Sequence, residues 1–189
     1  MSAAADDLCR TDAERACLDA LRELAGGPDS PMERHCVRVY EIGLELGRRG
    51  GQTLDAEVLL CAALLHDAGI YPAAASADAY VTDGRRLADR ALAPFAWPAE
   101  RLALCGDAIE RHHALRSQSA LGAEVELMRR ADLVDVSFGR IRFGLDGGWL
   151  RDLAARVPRQ GFVGALLPLI GRMLRDRPGT LGRVFTTRR

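Results

Sequence analysis

The stretch Cys61-Ala62-Ala63-Leu64-Leu65-His66-Asp67-Ala68-Gly69 decides how we interpret this chain. An apolar segment ends there in an imidazole and a carboxylate, and Gly69 allows a helix to end in a turn. Burying either polar group without a partner would cost on the order of several kcal/mol. Because histidine and aspartate are both strong metal ligands, the pair His66-Asp67 predicts partners of the same kind elsewhere in the chain.

Composition restricts the class of protein. The chain has 189 residues, 48% of them hydrophobic, which is enough for one domain with its own core. A formal net charge of zero gives no indication of nucleic-acid binding. The sequence contains neither lysine nor asparagine, which excludes a Schiff-base lysine, a P-loop lysine and a Cys-His-Asn triad.

Cysteine usage and the N-terminus favour a cytoplasmic protein. The cysteines are scattered without a C-x-x-C pair, as is typical of free thiols in a reducing compartment. Residues 1–10 lack the apolar core of a signal peptide, and no apolar run approaches the roughly 20 residues that span a bilayer. We expect no membrane segment and no nucleic-acid partner. The expected partners are a small-molecule substrate and, at most, a second copy of the chain in a homodimer.

The hydrophobic pattern is helical nearly throughout, which predicts an all-α fold. Thr11-Asp12-Ala13-Glu14 and Ser30-Pro31-Met32-Glu33 have the pattern of capping boxes at the starts of two helices. Asp55 is the expected cap of a third helix, and Thr82-Asp83 is the expected start of a fourth.

Two further polar residues interrupt apolar helix faces. His35 shares a face with Val39, Ile42 and Leu46, and Asp132 shares one with Val125, Met128 and Val136. Another helix is expected to end at His112-His113. Imidazoles and carboxylates that converge from separate helices indicate a metal site. Nitrogen and oxygen ligands without thiolate favour Zn, Mn, Fe, Co or Ni.

Each residue also has a simpler interpretation when it is taken alone. His35 could be a hydrogen-bonded core histidine, and His66-Asp67 could be a charged helix terminus. Asp132 could pair with Arg129 or Arg130 on the same helix. The recurrence of such residues on successive helices favours the metal site.

The order His35, His66-Asp67, Asp132 resembles that of the HD superfamily of metal-dependent hydrolases, which is named for its His-Asp dyad. Three segments carry the resemblance, at residues 30–39, 59–69 and 130–135. The resemblance implies that one divalent ion is bound by His35, His66, Asp67 and Asp132.

The resemblance also implies an architecture, a single-domain orthogonal helical bundle of the HD type. We expect this domain to cover residues 1–189, with the HD core at about 30–136. The C-terminal helices, at 146–176, are expected to pack on that core.

Ile109-Glu110-Arg111-His112-His113 resembles the I-x-x-H-H segment of HD proteins, which contributes a histidine near the metal or the substrate. On a continuous helix the two rings would point about 100° apart, so we expect one to face the site and favour His112. The residues expected to carry catalysis are His112, Asp83 and Asp67. The residues expected to bind substrate are Arg116, Arg140 and His113.

The sequence departs from several HD subgroups. Ile70-Tyr71-Pro72 stands where nucleotidase-like and alarmone-hydrolase-like members have an acidic residue. The middle histidine of the two-metal oxygenase-like members is missing, and Asp83 is the candidate substitute ligand. Val81-Thr82-Asp83-Gly84-Arg85 loosely resembles the cyanamide-hydratase-like members.

These observations lead to one main functional hypothesis, a metal-dependent hydrolase that attacks a small phosphorylated substrate with metal-activated water. An arginine would hold the phosphate. A hydratase or lyase for a small neutral molecule is the first alternative, and it predicts a narrow apolar pocket without an inward arginine. A two-metal oxygenase and a regulatory module without activity are the others.

Overall fold

The structure, a computed structural model, describes residues 4–185 apart from the side chains of Ala4, Leu181 and Arg183. Its helices are α1 (Ala4–Leu8), α2 (Asp12–Ala25), α3 (Pro31–Arg49), α4 (Ala56–Leu65), α5 (Tyr80–Leu92), α6 (Ala99–Arg111), α7 (Ala123–Val136), α8 (Gly147–Arg156), α9 (Phe162–Asp176) and α10 (Leu181–Phe185). Short 3₁₀ turns cover Ala68–Ile70, Ala93–Phe95 and Pro178–Thr180. Residues 4–185 contain no strand, so the predicted all-α, single-domain fold is confirmed. The outermost residues of the predicted domain, 1–3 and 186–189, lie outside the described residues.

Helix α4 lies in the middle of the bundle because it is apolar on every side. All of its residues from Val58 to Leu65 are buried. A helix without a polar face has to be surrounded by other helices, and α4 contacts α2, α3, α5, α6 and α7. The residues directly after α4 therefore emerge inside the bundle, where His66 and Asp67 follow.

Two of the predicted helix caps are present as expected. The Thr11 hydroxyl accepts the Glu14 N–H at the start of α2, and the Glu14 side chain accepts the Thr11 N–H in return. Asp55 Oδ1 accepts the Val58 N–H at 3.1 Å at the start of α4. Each cap satisfies a backbone donor that the first helical turn leaves without a partner.

The second predicted capping box is only half formed. The Ser30 hydroxyl accepts the Glu33 N–H at 3.0 Å. The Glu33 carboxylate accepts the Asp29 N–H at 3.1 Å instead of the Ser30 N–H, and it forms an ion pair with Arg22 of α2. The carboxylate is oriented by Arg22 through two charge-assisted hydrogen bonds, which are stronger than neutral ones, and in this position it accepts the Asp29 N–H.

Helix α5 begins at Tyr80, two residues before the predicted start at Thr82-Asp83. Ala79 occupies the N-cap position in an extended conformation and provides no side-chain cap. The Asp83 carboxylate does not cap the helix because it bonds to Ser76, Arg86 and Arg177.

The C-terminal helices contact the helices that carry the candidate site. Helix α9 packs against α3, and α10 contacts α6. Phe162, the first residue of α9, is 4% exposed and lies in the same core cluster as α3 and α4. Across residues 4–185, no helix combines the length and the apolar character that crossing a bilayer requires.

Candidate metal centre

Four helices place polar side chains around one buried point. His35 comes from the middle of α3, and Asp132 comes from α7. His66 is the first residue after α4, and Asp67 precedes the 3₁₀ turn Ala68–Ile70. His112 and His113 follow the last residue of α6.

Gly69 lies in the turn by which the chain leaves this point, as the sequence suggested. It is not among the residues with positive φ in the described part of the chain. A Cβ at this position would collide with the backbone of Tyr80 and Gly84 in α5. The glycine is needed because α5 crosses directly over the turn, which is a close approach rather than a special backbone angle.

The four residues predicted to bind the ion lie close together. His35 Nε2 is 3.1 Å from His66 Nε2, 3.4 Å from Asp132 Oδ1 and 3.7 Å from Asp67 Oδ2. His66 Nε2 is 3.5 Å from Asp67 Oδ2 and 3.8 Å from Asp132 Oδ1. An ion with ligand bonds of about 2.1 Å holds neighbouring donor atoms roughly 3.0–3.4 Å apart. The donor set therefore fits a divalent ion after shifts of a few tenths of an ångström.

The hydrogen bonds on the far side of each ring fix which nitrogen faces the ion position. His66 Nδ1 donates to the Ala63 carbonyl oxygen at 2.8 Å. His35 Nδ1 donates to Asp135 Oδ2, also at 2.8 Å. When both rings are neutral, each Nε2 therefore carries a lone pair, and the two lone pairs face each other. This arrangement is repulsive unless a cation, either a metal ion or a proton, lies with them.

Asp135 is the residue of this centre that the sequence interpretation missed. Its carboxylate is buried and accepts hydrogen bonds from His35, from Arg38 Nη2 at 2.8 Å and from Arg159 Nη2 at 2.7 Å. Histidine ligands of metals commonly donate their second N–H to a carboxylate, which orients the ring. Helical spacing was the available signal, since Asp135 follows Asp132 by three residues and Arg38 follows His35 by three.

His112 and His113 both reach the centre, in contrast to the expectation that one ring would point away. Helix α6 ends at Arg111, so the angle of a continuous helix does not apply to the two rings. His112 Nε2 is 3.5 Å from Asp67 Oδ1, and His113 Nδ1 is 3.5 Å from Asp132 Oδ2. Donor atoms form two further groups that could hold an ion, His66 with Asp67 and His112, and His112 with His113 and Asp132.

Burial and neighbouring charges shift the pKa values of the histidines and aspartates of this centre. Burial lowers the pKa of His66 to about 4 and that of His113 to about 4. Burial also opposes charge on His35, but hydrogen bonds to Asp132 and Asp135 outweigh it and raise its pKa to about 9. Burial alone would raise the pKa of Asp67, but the neighbouring imidazoles hold it well below its usual range. Near neutral pH the centre thus combines neutral and protonated imidazoles with carboxylates.

Three of the predicted site residues lie elsewhere. Asp83 is buried, and its carboxylate accepts hydrogen bonds from Ser76 and from the guanidinium groups of Arg86 and Arg177. Arg116 and Arg140 are exposed, and within residues 4–185 neither side chain forms a hydrogen bond or ion pair with the histidines and aspartates of the centre. Their spacing in the sequence could not reveal that both follow the ends of helices on the surface.

Aromatic rings cover the centre. Phe162 stacks on the His35 ring, with the two ring centroids 4.5 Å apart. Tyr80 O–H lies 3.3 Å from His112 Nε2, and Phe185 lies 5.9 Å from His113 between ring centroids. The side chains of His35 and His66 are 0% exposed, whereas that of His113 is 29% exposed. Of the four histidines, His113 is therefore the one that is most accessible to solvent.

The fold and the donor set define an all-helical protein with a buried cluster of histidines and aspartates that could hold a metal ion. The family model of the HD domain matches residues 32–137, which is more than half of the chain. The chain therefore belongs to the HD-domain family, and the resemblance of the sequence to that family is confirmed. A comparison with curated proteins gives no match.

Proposed function

We propose that this chain is a metal-dependent hydrolase that acts on a small phosphorylated molecule. The observation that carries the proposal is the pair of Nε2 atoms 3.1 Å apart in His35 and His66, each with its Nδ1–H directed elsewhere. Asp67 and Asp132 supply the negative charge that a divalent ion needs. A bound ion of this kind lowers the pKa of a coordinated water to about 7 and stabilises developing negative charge.

His112 is the residue that we propose as the proton donor. Burial opposes its charge, but the Asp67 carboxylate raises its pKa, which favours the protonated ring. Its Nδ1 donates to the Ile109 carbonyl oxygen, so Nε2 is the nitrogen directed toward Asp67 and Tyr80. A protonated Nε2 there can donate to a leaving oxygen. His113, the most accessible of the four histidines, is proposed to contact the substrate.

A second candidate function is the addition of water to a small neutral molecule. Its support is the aromatic lining by Phe162, Tyr80 and Phe185, together with the surface positions of Arg116 and Arg140. A phosphate needs compensating charge, whereas a small neutral substrate does not. The short similarity at 81–85 to cyanamide-hydratase-like proteins agrees with this candidate.

For the two-metal oxygenase alternative, one observation is favourable and one is unfavourable. The two donor groups that include His112 could each hold an ion, although each shares a residue with the group around His35. Asp83, the expected substitute ligand, is occupied by two arginines and a serine. We propose a structural role for Asp83 rather than a catalytic one. The scattered free cysteines are consistent with the cytoplasm as the site of action.

A substrate screen tests the proposal. The purified chain, supplied separately with Mn, Co, Zn and Fe, is offered a panel of phosphomonoesters and a panel of nitriles that includes cyanamide. Phosphate release that falls about 100-fold or more in His112→Gln is the expected result. Asp152→Asn, on the exposed face of α8, is the control and retains full activity. Turnover of nitriles alone would favour the second candidate, and turnover of neither panel by the metal-loaded chain would contradict both.

A further inference from the structure

A cavity apart from the metal centre lies where the segment after α7 meets helix α8. Its volume is about 270 Å³, and three of its lining side chains are Arg142, Arg151 and Arg159. The lining includes no acidic residue and none of the histidines or aspartates of the metal centre. Since one water molecule takes about 30 Å³ in the liquid, the cavity has the volume of roughly nine water molecules. A small phosphate-bearing anion can be accommodated in such a volume.

The three guanidinium groups have donors to spare. Arg159 uses Nε and Nη2 on Asp135 at 3.1 and 2.7 Å, and its Nη1 makes no hydrogen bond within residues 4–185. Arg142 uses only Nε, on the Gly139 carbonyl oxygen at 2.8 Å. Arg151 makes no hydrogen bond to any described residue. Several N–H groups around one cavity therefore lack an acceptor from the protein.

The positive charge of the cavity is also incompletely neutralised. Asp135 is shared by Arg38, Arg159 and His35. Asp146 lies near Arg151, but it accepts the Trp149 N–H at 2.9 Å as the cap of α8, and it does not line the cavity. Neither Arg142 nor Arg151 forms an ion pair with a described residue. Arg142 and Arg151 are exposed to solvent, and the positive charge of the three arginines around one cavity attracts an anion from it.

Arg159 is held in place before any ligand arrives. Asp135 is 1% exposed and binds the guanidinium through two hydrogen bonds, and the Phe138 ring lies 5.7 Å from the guanidinium carbon. A donor that is already ordered loses little conformational freedom on binding. The planar forks of arginines match the oxygen atoms of phosphate better than any other side chain does.

We propose that this cavity binds a small phosphate-bearing anion, held by Arg142, Arg151 and Arg159, as a site separate from the metal centre. The anchor on Asp135 places this ligand two hydrogen bonds from His35, because Arg159 and His35 bind the same carboxylate. The proposal does not depend on which reaction the metal centre catalyses.

Calorimetric titration of the full chain tests the proposal. The protein is first treated with a chelator, so that phosphates cannot bind through a metal ion, and is then titrated with inorganic pyrophosphate or inorganic phosphate at constant ionic strength. Arg142→Ser/Arg151→Ser removes two of the three forks. Arg90→Ser/Arg175→Ser removes the same charge from exposed positions elsewhere and is the matched control.

Binding of either anion at one per chain, with an affinity at least about tenfold lower in the first double variant and unchanged in the control, is expected. Arg151→Lys keeps the charge without the fork and should lose less affinity than the double variant. Absence of binding to the wild type at millimolar anion would overturn the proposal. Equal weakening in both double variants would also overturn it, since that result reports net charge alone. Circular dichroism and urea unfolding confirm that the compared variants are folded.

Discussion

The Nε2 atoms of His35 and His66 lie 3.1 Å apart, although the Nδ1–H of each ring is committed to a different acceptor. Two neutral rings in this arrangement would direct lone pairs at each other in a buried site. A proton on His35, whose pKa is raised to about 9, resolves the repulsion in the ion-free protein. A divalent ion with carboxylate ligands resolves it more completely, and metal binding therefore displaces that proton.

Displacement of the proton makes metal affinity pH-dependent. Because the pKa of His35 is about 9, the ring is protonated at pH 7 and competes with the metal. We expect binding at pH 7 to release about one proton, and apparent affinity to rise up to about tenfold per pH unit between pH 7 and 9. Calorimetry in buffers of different ionisation enthalpy measures the released protons. Binding that releases none and does not vary with pH would refute this assignment.

Asp135→Asn tests the carboxylate that orients His35. The neutral amide weakens the hydrogen bond to His35 Nδ1 and leaves Arg38, which is 0% exposed, without its countercharge. We expect metal affinity to fall about 10- to 100-fold and the free energy of unfolding to fall by about 3 kcal/mol or more. Metal titration and urea denaturation measure the two effects. Asp152→Asn, on the exposed face of α8, is the control and should change neither.

Gly69→Ala tests the close approach of α5 to the chain after the dyad. The added Cβ would collide with backbone atoms of Tyr80 and Gly84, which cannot move aside as a flexible side chain can. We expect a loss of about 1–3 kcal/mol or more in the free energy of unfolding. Gly164→Ala is the comparison, because a Cβ at that position in α9 meets nothing within 4 Å. Equal stabilities of the two variants in urea would show that the approach is looser than described.

Glu126 supplies a pH dependence of stability that is independent of the metal centre. Its carboxylate accepts the Gln118 N–H at 2.7 Å and pairs with Arg129 and Arg130, which ties the segment before α7 to that helix. Burial alone would raise its pKa, but the hydrogen bonds to Arg129, Gln118 and Arg130 lower it from 4.5 to about 2.

A lowered pKa stabilises the folded state above the unfolded value and loses that effect as pH falls. Wild type should therefore exceed Glu126→Gln in unfolding free energy by on the order of 2 kcal/mol at pH 7. The difference should shrink as pH falls from about 4.5 toward about 2. Urea unfolding of both proteins across this range measures it. A difference that stays constant with pH would show that ionisation of Glu126 is not its source.

The sequence was sufficient for the residues whose position follows from helical periodicity. His35 and Asp132 each replace an apolar residue on a buried stripe, so their inward direction could be predicted. The dyad could be placed because α4 is apolar on all sides and has to be central. Local rules of this kind depend only on the spacing within one helix.

Contacts between segments far apart in the sequence could not be predicted from helical spacing. Phe162 reaches His35 from a helix more than a hundred residues later, and Arg177, which directly follows that helix, reaches Asp83 from 94 residues later. His112 and His113 both face the centre because α6 stops one residue earlier, a boundary that periodicity does not define to a single residue. Asp135 was identifiable from its spacing, but its role depends on Arg38 and Arg159 from other segments.

Metal content tests the central claim most directly. The wild-type chain is stripped with chelator, reloaded separately with Zn, Mn, Fe, Co and Ni, and freed of excess metal. Its metal content is measured by inductively coupled plasma mass spectrometry beside that of His66→Ala, Asp67→Ala and the exposed control Asp152→Asn. The metal centre predicts at least one tightly held ion per chain in wild type and control, and loss of at least about 90% of it in both dyad variants. A wild-type chain that retains no more metal than the dyad variants, for every ion offered, would contradict the account.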